Sequence, residues 1–286
     1  MNWKKKLNRI DAEAQSFSYV NSPRLRASVV KSTQTKLHVE TIGKGPDLVL
    51  LHGWGQHSGV WDGVRGDLAN RFRVHLVELP GYGQSAACTP YMSAELAHTV
   101  AKAVPDAIFV CGWSLGAQVA LRWALDFPKQ VQRLVLVSAT PHFVRAAGWS
   151  RGIEVQVLQE FAADLQRNVR STLKRFVLLQ TRGAKNARRH SAWLCKRLFA
   201  AADPEVLQAG LRMLLKTDLR QEMREVKQPV LLLHGQQDSL VPVMSAHWLK
   251  QHLTQARLEV FEDCAHAPFL SQDGKFMKLV LEFLDG

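Results

Sequence analysis

The chain has 286 residues, a formal net charge of +12 and 47% hydrophobic residues, which suits one large α/β domain with an insertion. No apolar run reaches the roughly 18 residues that a membrane helix needs, and no apolar segment of a secretory signal follows the basic start. The four cysteines show neither paired spacing nor a metal-binding pattern. We therefore expect a cytoplasmic protein with reduced thiols and without a membrane span.

Strand and helix patterns alternate along most of the chain. Short apolar runs predict strands, and amphipathic stretches between them predict helices. The predicted strands cover residues 47–51, 74–77, 107–111, 134–138, 229–235 and 258–261, and the predicted helices that separate them include residues 117–127 and 244–253. This alternation is typical of an α/β fold with a mostly parallel sheet flanked by helices.

A Gly-x-Ser-x-Gly sequence, residues 112–116, joins a predicted strand to a predicted helix. In that setting the pentapeptide is the nucleophile elbow of an α/β-hydrolase. Ser114 would sit in a strained conformation at a sharp turn, where side chains on its two flanking glycines would clash. The alternative is a chance match in a chain with 18 glycines. We predict the α/β-hydrolase fold, with Ser114 as the nucleophile.

An acid and a histidine follow the nucleophile in this fold, in that chain order. Asp238 comes just after the predicted strand 229–235, and His266 follows the last predicted strand. Site residues of open α/β sheets gather at the carboxyl ends of the strands. The sequence therefore predicts a Ser114–His266–Asp238 triad in which His266 is the general base.

Other polar residues compete for these roles on weaker grounds. Asp263 is too near His266 in sequence to reach around its ring easily, and no motif marks Glu78 as the acid. Ser85 lies in a glycine-rich turn without a strand–elbow–helix frame, and His52 comes too early in the chain order. We expect structural roles for Ser85 and His52, a loop carboxylate at Asp263, and at most a place lining the site for Glu78.

Two backbone amides should form the oxyanion hole. One belongs to Leu115, the residue after the nucleophile. The other should come from the loop after the strand at residues 47–51, where Gly53 and Gly55 let the backbone approach the reacting carbon. That leaves the amide of Trp54 as the predicted second donor.

Strand patterns stop between residues 141 and 220. Four helical patterns take their place, over residues 155–165, 169–180, 192–201 and 205–215. An all-helical insertion at this point forms a cap over the serine and shapes access to it. The predicted domains are a basic extension (1–35), a hydrolase core (36–140 and 221–286) and the cap (141–220).

The positive charge is concentrated on the cap. Residues 141–200 contain twelve Lys/Arg and three Asp/Glu, and residues 1–36 contain eight and two. A solvated basic face is one explanation, and an acidic partner attracted by the field is another. Nucleic acid fits the charge but not the site, because no binding motif appears. An acidic carrier protein that delivers a tethered acyl chain fits both.

From about residue 37 onwards the chain resembles the pimeloyl-acyl-carrier-protein methyl ester carboxylesterases of biotin synthesis. The matching segments are residues 50–55, 77–83, 112–116, 175–181, 217–220, 238–242 and 266–269. The resemblance implies hydrolysis through an acyl-enzyme on Ser114, with no metal or organic cofactor. It also implies that the substrate contacts Trp54, Ser114, Leu115, His266 and the run 176–180, which includes Phe176 and Gln180.

The resemblance also implies a docking face for the acyl carrier protein on the cap. Arg175 and Arg188 match basic positions of the family. Arg170 and Arg189 stand beside positions where other members carry arginine, and we predict that all four contribute. The extension (1–35) and Ala117, which replaces a common glycine, depart from the family pattern.

Three other functions stay open at this point. The chain could be a carboxylesterase or lipase acting on small free esters, with a merely solvated cap. It could catalyse another α/β-hydrolase reaction, such as carbon–carbon bond hydrolysis or acyl transfer. It could also be a non-catalytic binding protein, although an intact triad argues against this.

Overall fold

The apolar runs of the sequence form one seven-stranded sheet in the computed structural model, which describes residues 36–104, 109–198 and 203–286. The strands are β1 (Val39–Ile42), β2 (Asp47–Leu51), β3 (Arg73–Val77), β4 (Phe109–Trp113), β5 (Arg133–Val137), β6 (Val230–Gly235) and β7 (Ala256–Phe261). Their order across the sheet is β1-β3-β2-β4-β5-β6-β7. The predicted extension, residues 1–35, lies outside the described residues.

All neighbouring strands pair in parallel except β1, which runs antiparallel to β3. The predicted mostly parallel sheet is therefore confirmed. Each predicted strand has an observed counterpart, whereas β1 was not predicted. It has only four residues, none of them fully buried, and so lacks the continuous apolar run of a central strand.

Helices connect the strands and supply the insertion. In the core they are α1 (Arg65–Ala69), α2 (Ser93–Ala103), α3 (Leu115–Asp126), α8 (Val243–His252), α9 (Pro268–Ser271) and α10 (Asp273–Asp285). Between β5 and β6 they are α4 (Val155–Arg167), α5 (Val169–Thr181), α6 (Ala187–Leu198) and α7 (Pro204–Lys216). Short 3-10 turns lie at Ser58–Trp61 and Arg220–Glu225.

Local sequence explains where the inserted helices begin. Asn168 caps α5 by accepting a hydrogen bond from the Ser171 amide (3.0 Å), and Asp203 caps α7 ahead of Pro204. Helix α6 begins five residues before the predicted start at residue 192. Its first turn is polar, so the apolar repeat that predicts a helix starts later than the helix itself.

The insertion leaves and rejoins the core at one place. His142 and Asp218 form an isolated antiparallel bridge, and the Leu219 amide donates to the Pro141 carbonyl (2.9 Å). Because β5 and β6 are neighbours in the sheet, four helices can be added here without disturbing the strand order. The division into core and cap domains stays a prediction.

The middle of the sheet is the centre of the core. Every residue of β4 and β6 is buried, as expected for parallel strands covered on both faces. The four cysteines are free thiols, and all except Cys195 are buried. None of the helices within the described ranges is long and apolar enough to cross a membrane.

Candidate active site

Ser114 lies at the sharp turn between β4 and α3. Its φ of 55° and ψ of −113° are unusual for a residue with a side chain. A Cβ atom on Gly112 would lie 2.4 Å from the Gly116 carbonyl oxygen, and one on Gly116 would lie 2.5 Å from that of Leu51. Only glycine fits at both positions. The turn therefore raises the partly exposed Ser114 above the sheet at the amino end of α3.

His266 and Asp238 form a buried hydrogen-bonded pair. His266 Nδ1 lies 2.7 Å from Asp238 Oδ2, and the exposed fraction of each side chain is at most 1%. Asp238 Oδ1 accepts two further hydrogen bonds, from the amides of Leu240 (3.0 Å) and Val241 (2.9 Å). The carboxylate is thus fixed in position and orientation by its own loop.

The electrostatics of this pair favour an ionised acid. Burial by itself would raise the pKa of Asp238. The charge on His266 and hydrogen bonds from His234 and His266 outweigh burial, and they hold the pKa of Asp238 well below its usual range. The carboxylate is therefore charged at neutral pH and can orient and stabilise a histidine that takes up a proton.

The backbone of His266 is anchored on three sides. Its amide donates to the carbonyl of Gln180 (3.0 Å) at the end of α5. Its own carbonyl accepts from Trp113 Nε1 (2.7 Å) and from Ser138 Oγ (2.9 Å). Residues from β4, from the end of β5 and from the insertion therefore converge on this one loop position.

His266 lines the same cavity as Ser114 and has one ring nitrogen free. A carboxylate only accepts, so Nδ1 carries the proton and Nε2 is left with a lone pair. Nε2 is buried and has no hydrogen-bond partner within the described part of the chain. Ser114 and His266 both line one cavity. The fold thus gathers the three residues of the predicted triad.

The two predicted oxyanion-hole residues flank this position. Leu115 begins α3, where the first backbone amides have no partner inside the helix. Trp54 lies in the loop after β2, and β2 pairs with β4 so that Leu51 stands opposite Gly112. The loop and the elbow are therefore neighbours. No hydrogen bond of the structure tests the amide roles, which stay predictions.

The indole of Trp54 has a packing role as well. Its Nε1 donates to the Leu207 carbonyl (3.0 Å) of α7. Its ring meets those of Phe176 and Phe161 edge-on, at centroid distances of 4.9 and 5.7 Å. Trp54 thus ties the loop after β2 to three helices of the insertion.

The cavity over Ser114 is lined almost wholly by apolar side chains. Its walls come from the loop after β2, the inserted helices and the loop after β6. The lining residues are Trp54, Ser114, Phe143, Ile153, Val157, Leu158, Phe161, Phe176, Leu179, Leu211, Leu214, Leu240 and His266. Such a chamber suits an uncharged acyl chain that ends at the serine.

Sequence reasoning found only part of this lining. Of the predicted substrate contacts, Phe176 lines the cavity, whereas Gln180 is buried and meets His266 through its backbone carbonyl. The apolar residues of α4 and α7 belong to no motif. Their only sequence signal is the amphipathic repeat, which also describes ordinary core packing.

Glu78 and Ser85 have structural partners. Glu78 Oε1 accepts from Ser58 Oγ (3.1 Å), and Oε2 accepts from the Gln84 amide (2.5 Å). Ser85 Oγ donates to the Glu78 carbonyl (2.5 Å) and accepts from the His38 amide (2.9 Å). These contacts fix the turn after β3.

His52 and Asp263 have no place in the pair at Asp238 either. His52 Nδ1 donates to the Gly53 carbonyl (2.9 Å), and Nε2 accepts from the Leu79 amide (3.0 Å). Burial lowers the pKa of His52 to about 4, which keeps the ring neutral. Asp263 is exposed on the loop before His266.

The four arginines predicted to dock a carrier are exposed on α5 and α6. They differ in whether they form ion pairs. Arg175 forms an ion pair with Asp164 of α4. Arg188 and Arg189 are exposed, and neither forms an ion pair with any residue that the structure describes.

Metal chemistry has no obvious ligand set in this part of the protein. Residues 36–104, 109–198 and 203–286 contain no group of three or more His, Cys, Asp or Glu side chains that could hold a metal ion. The buried pair at Asp238 is instead built for proton transfer to and from a neighbouring group.

Comparison with known proteins gives the family. A family model described as alpha/beta hydrolase fold matches residues 46–273. An esterase from Exiguobacterium antarcticum has a similar structure, with a TM-score of 0.82 and 26% identity, covering 88% of this chain and 96% of that one.

Relatives by sequence are more specific. A pimeloyl-acyl-carrier-protein methyl ester esterase from Nitrosomonas europaea is 49% identical over 243 residues, which cover 84% of this chain and 96% of the relative. Proteins of the same name from Nitrosospira multiformis and Vibrio vulnificus are 41% and 39% identical, and each match covers 87% of this chain and 98% of the relative. The predicted resemblance is confirmed. The chain belongs to the α/β-hydrolase fold family and, within it, to the family of the pimeloyl-acyl-carrier-protein methyl ester esterases.

Proposed function

We propose that this chain is a serine carboxylesterase that hydrolyses the methyl ester of pimeloyl-acyl-carrier protein. The observation that carries the proposal is His266, which lines the Ser114 cavity and whose buried Nε2 has no hydrogen-bond partner among the described residues, while Asp238 holds the other ring nitrogen. The names of the relatives support the choice of substrate.

The first half of the reaction forms an acyl-enzyme. His266 Nε2 takes the proton from Ser114 Oγ, which attacks the carbonyl carbon of the methyl ester. The negative charge that develops on the carbonyl oxygen is stabilised by the amides of Trp54 and Leu115. Protonated His266 then gives its proton to the departing methoxide, and methanol leaves.

The second half repeats these steps with water. His266 takes a proton from the water, whose oxygen attacks the acyl carbon, and the Ser114 Oγ–acyl bond breaks as the proton returns to Ser114. The product is a free carboxylate at the end of a chain that stays attached to its carrier. In biotin synthesis, this step would end elongation by unmasking the terminal carboxylate.

The carrier would dock on the basic surface of the insertion. We propose that Arg170, Arg175, Arg188 and Arg189 attract an acidic acyl carrier protein, whose acyl chain enters the apolar cavity. Exposed charges of this kind act mainly on encounter, and salt screens them over a Debye length of about 8 Å at physiological ionic strength.

The alternative is an esterase for small free esters. The uncharged lining of the cavity favours that reading, because it requires nothing of a carrier. The choice between the two depends on the substrate that the enzyme prefers, since both would hydrolyse an activated aryl ester.

The deciding experiment compares kcat/KM for the carrier-bound pimeloyl methyl ester and for the same ester free of carrier, over a salt series. We expect the carrier-bound ester to be preferred at low salt and to lose this advantage as salt rises. Equal kcat/KM values at every salt concentration would support the small-ester alternative. Rescue of a biotin auxotroph that lacks its own esterase tests the function in the cell.

A further inference from the structure

A second histidine, His234, contacts the predicted catalytic acid. It is the last residue but one of β6, where it pairs with Val260 of β7, and it is buried. Its Nε2 lies 2.8 Å from the Val241 carbonyl oxygen and 3.4 Å from Asp238 Oδ2, the same oxygen that faces His266. Nothing in the sequence motifs singles this residue out.

The partners of His234 fix its tautomer. A backbone carbonyl only accepts, so Nε2 carries a hydrogen and donates it to Val241. The carboxylate oxygen is a second, more distant acceptor for the same N–H. Asp238 Oδ2 therefore has an imidazole N–H on two sides, from His266 at 2.7 Å and from His234 at 3.4 Å.

His234 also fixes the backbone of Val241, which in turn hydrogen-bonds to the Asp238 carboxylate. The Val241 carbonyl accepts from His234, while the Val241 amide donates to Asp238 Oδ1 at 2.9 Å. The three residues thus form a closed set of contacts that joins the end of β6 to the loop after it. Because Val241 is bonded at both its carbonyl and its amide, the carboxylate cannot turn without breaking one of these bonds.

The loop that carries Asp238 packs tightly against the loop that carries His266. A Cβ atom on Gly235 would lie 1.9 Å from the Ala265 carbonyl oxygen, next to His266. A displacement of the Asp238 loop is therefore transmitted directly to the loop that carries the base. A displacement of about 1 Å is enough to lower the rate of a reaction that depends on the orientation of the reacting groups.

We propose that His234 is a positioning residue for ester hydrolysis, which holds Asp238 Oδ2 in line with His266 Nδ1 and shares the charge of the carboxylate. The inference rests on the proposed function, since it presumes that Asp238 is the acid of the triad. His234 itself touches neither the substrate nor the reacting atoms in this scheme.

Sharing the carboxylate charge has a measurable consequence for the base. Among the residues that the structure describes, three ionisable side chains interact with Asp238, namely His266, His234 and the buried thiol of Cys264. Without the His234 N–H, the carboxylate becomes a stronger acceptor for protonated His266. Protonated His266 should then be held more strongly, and the acid limb of the kcat/KM profile should move to higher pH.

The experiment compares two variants at His234 with the wild-type protein, and a variant at His75 serves as the control. In His234→Phe a ring of similar size lacks the donor, and in His234→Gln an amide places an N–H near the position of Nε2. For His234→Phe we expect kcat on an aryl ester to fall roughly 10- to 100-fold, the range found when partners of metal-bound histidines are removed. The acid limb should shift upwards by about half a pH unit, since one hydrogen bond changes. His234→Gln should restore most of both quantities.

His75→Phe is the matched control, because His75 Nε2 also contacts an aspartate, Asp47 Oδ1 at 2.6 Å, at the opposite end of the sheet. It should lower the melting temperature without moving the pH profile. If His234→Phe does not fold, His234→Asn takes its place, since its shorter amide cannot reach the Nε2 position.

The inference is wrong if the His234 variants behave as His75→Phe does, with an unchanged acid limb, or if His234→Gln is no better than His234→Phe. An active Asp238→Asn variant would instead remove the proposed function on which the inference depends. The two failures are therefore distinguishable within one set of proteins.

Discussion

At the scale of single residues, the site combines a strained backbone at Ser114 with a fully hydrogen-bonded carboxylate at Asp238. Ser114 has a positive φ, which costs on the order of 1–3 kcal/mol and persists only where packing enforces it. The two glycines of the elbow make that packing possible. Asp238 is buried and charged, yet its oxygens accept hydrogen bonds from two amides and from His266. The strain exposes Ser114, the predicted nucleophile, while Asp238 keeps His266, the predicted base, in one tautomer.

The role of Ser114 predicts a large loss of activity from a small change. Ser114→Ala should lower kcat by on the order of 10⁴-fold or more, because no other hydroxyl can form the acyl-enzyme. Ester hydrolysis and thermal unfolding measured together check this. The melting temperature should stay near the wild-type value, and a variant that keeps more than a tenth of the wild-type kcat would contradict the assignment.

Ser85→Ala is the matched control for this substitution. Ser85 is buried, whereas Ser114 is partly exposed, and the Ser85 hydroxyl joins Glu78 to His38. Its loss should therefore appear as a lower melting temperature, with kcat close to that of the wild type.

The identity of the acid gives a second prediction. Asp238→Asn should lower kcat by roughly 10⁴-fold, because an amide can donate to Nδ1 and so favour the wrong tautomer of His266. Glu78→Gln and Asp263→Asn are compared in the same assay. We expect the first to lose stability and the second to change little. If either of them abolishes activity while Asp238→Asn stays active, the acid has been assigned to the wrong carboxylate.

At the scale of the elements, the sequence predicts those parts whose pattern has one physical meaning. Central parallel strands are continuous apolar runs because both faces are covered, and each of them was found. The elbow, Asp238 and His266 were located because strand ends and chain order restrict where they can stand. The edge strand β1 and the polar first turn of α6 lack such a pattern and were missed.

Other parts of the site could not have been read from the sequence. The wall of the cavity depends on how α4 and α7 pack over the core, and an apolar helix face looks the same over a cavity as over a core. His234 stands in an apolar strand, where a lone histidine has many ordinary explanations. Its contact with Asp238 depends on the turn that brings Val241 back to the strand end.

The start of β2 and β3 provides a prediction at this scale. Asp47 is hydrogen-bonded to Arg73 at 2.5 and 2.7 Å and to His75 at 2.6 Å. The hydrogen bond from Arg73 is the main cause that lowers the pKa of Asp47 to about 2; burial opposes it and His75 adds to it. A carboxyl group whose pKa is lower in the folded state stabilises the fold above its unfolded pKa of about 3.9, and this contribution is lost as the pH falls towards 2.

Asp47→Asn should therefore lower the melting temperature at pH 7, and the difference from the wild type should shrink below about pH 4 and nearly vanish near pH 2. The effect should be modest, because Arg73 is half exposed. Thermal unfolding over this pH range measures it. Asp67→Asn, which removes an exposed carboxylate outside the ion pairs of the described residues, serves as the control. A difference that stays constant with pH would show that the ion pair is not its source.

At the scale of the whole molecule, charge and chemistry lie on the same side. The carboxyl ends of the parallel strands carry Ser114, Asp238 and His266, and the insertion between β5 and β6 brings its basic helices to that end. The exposed Lys44 and Lys129 lie instead in the loops that lead into β2 and β5, at the amino ends of these strands. The molecule therefore offers two sets of surface lysines and arginines that differ in their distance from the cavity.

This arrangement predicts that binding of the carrier depends on charges near the cavity. Arg188 and Arg189 are the sharper targets than Arg175, because reversing Arg175 would place a new carboxylate against Asp164 and disturb α4. The double change Arg188→Glu and Arg189→Glu should raise KM for the carrier-bound ester by about tenfold or more and flatten its salt dependence. Lys44→Glu with Lys129→Glu alters the net charge equally at the far end and should leave that KM nearly unchanged. Neither pair should affect kcat/KM for a small neutral ester, because the triad and the oxyanion amides are untouched.

Two outcomes would contradict this prediction. Equal losses on both substrates would show that the arginines support the structure of the insertion. Equal effects of the two pairs of substitutions on KM would show that only the net charge matters.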